Sequence, residues 1–185
     1  MELFFVSKNA DKRIEVSEIM LQGGYKIQPI DVEITEIQSP DMLEIVDDKL
    51  LKAFQKIQRP LIVEHTGLII HDFGDLPGGL TQIFWDSLGE IKFSEYFTKL
   101  GAVNATAETI IGFCDGKIKT TFSGTVDGKI VFPPRGISSF QWDNVFQPMD
   151  NTKTYGQMST VEKSQNSMRR IALEKLIDYL RKRGL

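Results

Sequence analysis

A chain of 185 residues with 41% hydrophobic residues is long enough to bury one core and too apolar for disorder. A formal net charge of −3 excludes a global pull toward nucleic acid or an anionic membrane, so an anionic ligand has to be held by a local group of Lys and Arg. The single cysteine, Cys114, excludes an internal disulfide and a Cys-based zinc site; no segment has the length to cross a membrane, and Met1-Glu2-Leu3-Phe4-Phe5 lacks the basic start of a signal peptide, so a cytoplasmic protein is expected.

Leu3-Phe4-Phe5-Val6 reads as a short buried strand, broken by Ser7-Lys8-Asn9. Ala10 to Leu21 then has helical character, with Ser7 or Asn9 as its cap and Gly23-Gly24 as its stop. Tyr25 to Ile34 alternates enough to form a second strand. Ser39-Pro40-Asp41 opens a second helix, in which Leu43, Val46, Leu50, Leu51, Phe54 and Ile57 fall near helical spacing. An apolar strand follows from Leu61 and ends at Glu64-His65-Thr66-Gly67. This alternation predicts βαβ units around a partly parallel sheet.

Leu76-Pro77-Gly78-Gly79 reads as a loop, and Leu80 to Leu88 and Ile91 to Leu100 as two short helices. Ala107 to Cys114, Lys117 to Ser123 and Lys129 to Phe132 are β-rich and are separated by Asp115-Gly116 and Asp127-Gly128, two hairpin signals. They form a β-rich lobe over about 105–135, closed by Pro133-Pro134-Arg135-Gly136. One long helix from about Ser159 to Arg183 ends the chain, with Met168, Ile171, Ala172, Leu176 and Leu180 on its apolar side. The whole reads as a single domain over residues 1–185.

Several segments carry groups suited to chemistry. Ser7-Lys8-Asn9-Ala10-Asp11-Lys12 lies where a strand feeds a helix, so backbone N–H groups and the positive end of the helix dipole face an anion there, with Ser7, Asn9 and Lys12 as side-chain donors. Glu36 can bind a hard cation through oxygen, and Lys49 can face the same cleft. Glu64 and His65 stand where an apolar run meets polar groups, as at the rim of an α/β sheet. Phe140 and Trp142 flank polar residues and can stack on a nucleobase, with Asp143 beside them. Lys163, Ser167 and Arg170 share a helical face, with Arg169 adjacent.

Taken together, these segments resemble the inosine/xanthosine triphosphate pyrophosphatases, the Ham1-like non-canonical purine NTPases. Ser7-Lys-Asn9-Ala-Asp-Lys12 is similar to that family's Thr/Ser-Gly-Asn-x-x-Lys phosphate loop, and Glu36 and Lys49 fall where the family places a metal-binding acid and a phosphate-binding lysine. Val63-Glu64-His65-Thr66-Gly67-Leu68 resembles its Glu-Asp-Ser/Thr-Gly-Leu strand end, and Leu76-Pro77-Gly78 its Pro-Gly loop. Ser138-Ser139-Phe140-Gln141-Trp142-Asp143 resembles its Phe-Gly-Tyr/Trp-Asp-Pro base pocket. Thr154-Tyr155-Gly156-Gln157-Met158 and Glu162-Lys163, followed by Ser167-Met168-Arg169, match its closing motifs.

The resemblance implies an elongated α/β fold with a long mixed sheet, flanking helices and two lobes around a central cleft. It implies hydrolysis of ITP, dITP or XTP to the monophosphate and pyrophosphate, with Mg²⁺ (or Mn²⁺) as cofactor and a homodimer as the assembly. In that reading Ser7, Asn9, Lys12 and Lys49 hold the phosphates, Glu36 and Glu64 the metal, and His65, Glu64 and Lys12 act in catalysis. Phe140, Trp142, Asp143, Lys163, Ser167 and Arg169 bind the base. The sequence departs from the family pattern at Lys8, His65, Gln141, Asn144, Gln157 and Met168. His65 replaces an aspartate, which opens a second reading: a nucleotide-binding protein on the same fold with weak or no hydrolysis.

Overall fold

A computed structural model of the chain describes residues 2–101, 103–138 and 140–185; Ser139 of the base-pocket motif lies outside them. Strand β1 (Leu3–Val6) enters helix α1 (Ala10–Gln22), and β2 (Ile27–Ile30) leads through an irregular segment to α2 (Met42–Ile57). Strands β3 (Leu61–Ile70) and β4 (Pro77–Gly78) precede α3 (Thr81–Lys99). The long hairpin β5 (Asn104–Cys114) and β6 (Lys119–Ile130), strand β7 (Phe146–Pro148) and helices α4 (Thr160–Gln165) and α5 (Met168–Lys182) complete the chain.

The sheet is mixed, in the order β2-β1-β3-β5-β6-β7, with β4 added to β3. β1 lies parallel to β2 and β3, and every other pair is antiparallel. On one face α1 and α5 cover Phe5, Ile62, Ile111 and Phe113. On the other, Met42, Val46 and Leu50 of α2 cover Leu61, Val63 and Ile110. A second lobe forms around Leu68 and Ile70 at the far end of β3, with Phe93 and Phe97 of α3 and Trp142, Phe146 and Tyr155. The expected α/β fold with flanking helices is therefore the observed one.

Four local expectations are corrected. The second strand covers only Ile27–Ile30, and residues 31–39 have no regular structure. β3 does not end at Glu64; it pairs with β5 through Ile70, so Glu64 and His65 are mid-strand residues. Asp127-Gly128 is not a turn. β6 runs through it, and Gly128 is needed because a Cβ there would collide with the backbone and ring of β7. The C-terminal helix is broken at Asn166-Ser167, where the Ser167 side chain caps α5, so Lys163 and Ser167 do not share one helix face. Elsewhere local chemistry acts as expected: Asp115-Gly116 makes the β5–β6 turn, and α3 breaks at Gly89 (φ 70°), giving the two short helices.

Candidate active site

The cleft exists because β3 is longer than its neighbour. β1 pairs only with Leu61 and Ile62, and β4 joins β3 only at Leu68 and Ile69. Between them the β1-side edge of β3, from Val63 to Gly67, is open. The loop leaving β1 folds over this gap. Asn9 caps α1 by accepting from the Lys12 N–H at 3.0 Å, and the Ser7 hydroxyl accepts from the Asn9 N–H at 3.3 Å. Arg13 donates to the Ser7 carbonyl at 2.7 Å and fixes the loop from behind. The result is a cavity of about 210 Å³ lined by Ser7, Asn9, Lys12, Glu36 and Lys49. Ser7, Asn9, Lys12 and Lys49, the proposed phosphate ligands, thus meet in one place.

Alternation along β3 sends Glu64 and His65 to opposite faces of the sheet. Glu64 turns toward α1 and α5. It is 1% exposed, and its oxygens accept from Arg169 Nε at 2.7 Å, Arg169 Nη2 at 3.2 Å and Lys12 Nζ at 2.8 Å. Glu15 of α1 takes the remaining Arg169 nitrogen, Nη1. Burial alone would raise the Glu64 carboxyl, but the Arg169 and Lys12 charges outweigh it and hold the group well below the usual carboxylate range. Burial lowers the Lys12 ammonium, with Glu64 opposing.

His65 turns toward α2. Its Nε2 lies 3.1 Å from the Gly79 carbonyl, an acceptor only, so that nitrogen donates. Its Nδ1 lies 3.4 Å from Glu36 Oε2, and Lys49 Nζ lies 2.6 Å from Glu36 Oε1 and 3.1 Å from the Glu64 carbonyl. Burial raises the Glu36 carboxyl, but the hydrogen bond from His65 and the charge of Lys49 dominate and hold it at about 2. Both ring nitrogens of His65 face acceptors. His65 does not itself line the cavity and reaches it through Glu36.

A second cavity of about 350 Å³ lies nearby, its Asp11 and Phe140 next in sequence to Lys12 and Gln141 of the first. Phe140, Asp143, Tyr155 and Lys163 line it, with Asp11, Ile14 and Glu15 from α1. Lys163 Nζ lies 4.5 Å from the Phe140 ring centroid and 2.6 Å from Asp143 Oδ2, which also accepts from the Ser138 hydroxyl at 2.9 Å. Asp143 Oδ1 is buried without a partner. Burial pushes the Asp143 carboxyl above its ordinary value despite Lys163.

Three expected base ligands do not line this cavity. Trp142 is fully buried, packing edge-on against Phe140 and Phe146 in the second lobe. Ser167 is buried as the α5 cap. Arg169 is buried directly behind the cavity wall, held by Glu64 and by Glu15 of that wall, with its guanidinium carbon 5.6 Å from the Phe140 ring centroid. Glu15 and Tyr155 are wall residues that reading the sequence alone did not assign. A signal for Glu15 existed, because Lys12 and Glu15 are three apart on one helix and share a face.

Among the described residues, no three His, Cys, Asp or Glu side chains cluster as ligands for a metal. Glu64 does not fit one: it is 1% exposed, does not line the phosphate cavity, and both its oxygens accept from Arg169 and one also from Lys12. Glu36 fits. Its side chain is one-third exposed on the phosphate cavity, and magnesium is commonly held by one or two carboxylates together with substrate phosphates.

These parts define an α/β protein with a lysine-lined pocket suited to an anion and, near it, an aromatic, carboxylate-bearing pocket. A sequence model of the Ham1 family matches residues 3–179, and the chain belongs to that family. Inosine triphosphate pyrophosphatase of Kluyveromyces lactis is 35% identical, over 100% of this chain and 98% of its own length. The dITP/XTP pyrophosphatase of Hyperthermus butylicus is 29% identical over 98% of this chain and 96% of its own. The Ham1 protein of Staphylococcus aureus shares the fold, with a TM-score of 0.79 and 24% identity over 98% of this chain and all of that one. The family in general depends on a divalent metal. No helix among the described residues is long and apolar enough to cross a membrane.

Proposed function

We propose that this chain hydrolyses 6-keto purine nucleoside triphosphates, ITP, dITP and XTP, to the monophosphate and pyrophosphate. The observation that carries the reading is the Asp143–Lys163 pair in the base cavity. An unpartnered, buried carboxylate oxygen beside an ammonium offers an acceptor next to a donor. That pattern suits the N1–H and O6 of a 6-keto purine and mismatches adenine, which presents a lone pair at N1 and an amino group at C6. The adjoining pocket takes the phosphates: Lys49 exchanges its glutamate partner for phosphate oxygens, Lys12, whose ammonium has three donors, adds one to them while keeping Glu64, and Ser7 and Asn9 orient the chain. Water adds to the α-phosphorus, the bond from that phosphorus to the α–β bridging oxygen breaks, pyrophosphate leaves, and a proton is released. Glu36 would hold Mg²⁺ or Mn²⁺, which when bound neutralises phosphate charge.

One observation favours the second reading, a nucleotide binder with weak hydrolysis. Glu64 is locked by Arg169 and Lys12, which leaves Glu36 alone for a metal. Pyrophosphate release from ITP, dITP, XTP, GTP and ATP with Mg²⁺ or Mn²⁺ separates the two. Release from ITP well above that of an Asn9→Ala/Lys12→Ala control supports the enzyme; ITP binding without release above that control establishes the binder. Lys12→Ala alone should slow release by about 10²–10³, the usual loss for one preorganised donor to a developing charge. Kinship with the family also supports a cytoplasmic homodimer, which sedimentation tests.

A further inference from the structure

The base-pocket motif departs from the family pattern at two positions, and both replacements are carboxamides. Gln141 stands for a glycine and Asn144 for a proline. Each is bonded to helix α3, and the two contacts fall on opposite sides of its break at Gly89. Gln141 donates to Gln82 in the first half of the helix. Asn144 Nδ2 donates to Glu90 Oε1 at 2.7 Å, where the second half begins. A proline at 144 has no side-chain donor for Glu90.

The other end of the Asn144 amide is fixed as well. Oδ1 accepts from the Ser138 N–H at 3.1 Å. These partners set the orientation of the amide, since a carboxylate accepts and a backbone N–H donates. Gly156 is seated so closely that a Cβ there would collide with Oδ1 and with the Asn144 backbone, and the Asn144 carbonyl accepts from the Arg135 N–H at 2.8 Å. Ser138 passes the constraint on. Its hydroxyl accepts from the Phe140 N–H at 3.0 Å and donates to Asp143 Oδ2 at 2.9 Å. Lys163 donates to the same oxygen at 2.6 Å. Both donors converge on Oδ2, and Oδ1 is left without a partner.

We propose that Asn144 is a positioning residue for the base selection described under the proposed function, on which this inference rests. It spans Glu90 and Ser138, holds the Ser138 hydroxyl on Asp143 Oδ2, and so reserves Oδ1 for the base. A Ser138 released from this hold can turn its hydroxyl to Oδ1 and occupy the acceptor meant for N1–H. Neither Asn144 nor any residue of α3 lines the base cavity. Helix α3 takes part in base selection through Asn144 alone, acting at one remove.

A double-mutant cycle tests this, because a residue acting through Ser138 has nothing to add once the Ser138 hydroxyl is gone. Amide exchange of the Ser138 N–H, followed by NMR without ligand, reads the hold directly. The ratio of kcat/KM for ITP to that for ATP reads its consequence. Asn144→Ala should speed the exchange and lower the ratio by about three- to tenfold, the scale of one lost hydrogen bond. Ser138→Ala should lower the ratio similarly, and the Asn144→Ala/Ser138→Ala pair no further. Asn144→Asp with Glu90→Gln exchanges donor and acceptor between the two side chains and keeps an acceptor for Ser138, so it should retain most of the ratio. Unchanged Ser138 exchange in Asn144→Ala overturns the hold. A ratio that does not move, whatever the melting temperature does, or losses that add in the double variant, overturn the positioning role. A donor–acceptor exchange that loses as much as Asn144→Ala removes α3 from the proposal. If the wild type does not prefer ITP to ATP, the substrate reading falls, and Ser138 exchange still decides whether Asn144 holds the loop.

Discussion

Neighbouring residues of one motif end up in opposite situations on the two faces of β3. On the α1–α5 face, Glu64 is buried with Arg169 and Lys12, and Glu15 completes the cluster. On the α2 face, Glu36 stands one-third exposed on a cavity, touched by His65 and Lys49. A buried charge that loses its partner has no water to replace it, so the first cluster is tied to the stability of the fold. A half-buried one on a cavity wall can be met by water or ligand, so the second can exchange partners with a ligand.

Arg169→Ala is the strongest way to break this comparison. It leaves Glu64 with Lys12 alone in a dry interior. Stability should fall by about 3–5 kcal/mol, and at about 2–4 °C per kcal/mol for a domain of this size the melting temperature drops by about 10 °C. Glu36→Ala should cost less stability than Arg169→Ala, because Glu36 is half-buried on a cavity rather than fully buried, while nearly abolishing Mg²⁺-dependent pyrophosphate release. Circular dichroism melts of both variants decide it. If Arg169→Ala melts with the wild type, the two faces are not energetically different.

The base cavity extends the comparison, since Asp143 is buried like Glu64 yet keeps one oxygen without a partner. In Asp143→Asn the amide oxygen stays with the Lys163 and Ser138 donors, so the NH2 takes the place of Oδ1 and the acceptor offered to N1–H is lost. The ratio kcat/KM for ITP should fall about 10- to 100-fold, from an unmade hydrogen bond of about 1–3 kcal/mol, and discrimination against ATP should shrink with it. A selectivity that does not move would place base reading on other groups.

Acid titration weighs the two faces of β3 together. Glu36 and Glu64 both have depressed folded-state values, Glu36 at about 2 against an ordinary 4.5. A depressed carboxylate contributes stability that is present above its unfolded value and lost as pH falls through the folded one. Urea midpoints should therefore decline as pH drops from about 5 toward about 2. Glu36→Gln should remove Glu36's share of that slope and leave the part due to Glu64. A slope removed entirely by Glu36→Gln would reverse the assignment of stability to the Glu64 face.

The motifs were legible because each combines turn chemistry with a polar group: the Asn9 cap, the Asp41 helix start and the Asp115-Gly116 turn act locally and appear where the residues predict them. What was not legible depends on distant partners. Glu64-His65-Thr66 looked like a strand end because three polar residues follow an apolar run. β3 continues because Arg169, 105 residues away, and Thr109 on β5 satisfy those groups in its interior. Asp127-Gly128 carries a turn signal, but its glycine serves close packing under β7. Arg169 and Trp142 have the chemistry of ligand contacts, and only packing shows that one is committed to Glu64 and the other to the core.

The smallest expected effect concerns Gln141, which stands where the family pattern has glycine. Its φ is 26°, in the left-handed region, and its side chain lines the phosphate cavity and meets Gln82 of α3. A residue with a Cβ held at such an angle costs about 1–2 kcal/mol relative to glycine. Glycine gives back part of that through a more flexible unfolded chain, about 0.4–1 kcal/mol. Gln141→Gly should therefore stabilise the protein by about 1 kcal/mol or less, readable as a small rise in melting temperature. The Gln82 contact opposes this gain, because it bridges the base loop and the second lobe beside the phosphates. A fall in melting temperature would show that the contact outweighs the backbone strain, and that part of the phosphate-side wall, like the Glu64 face, is tied to stability.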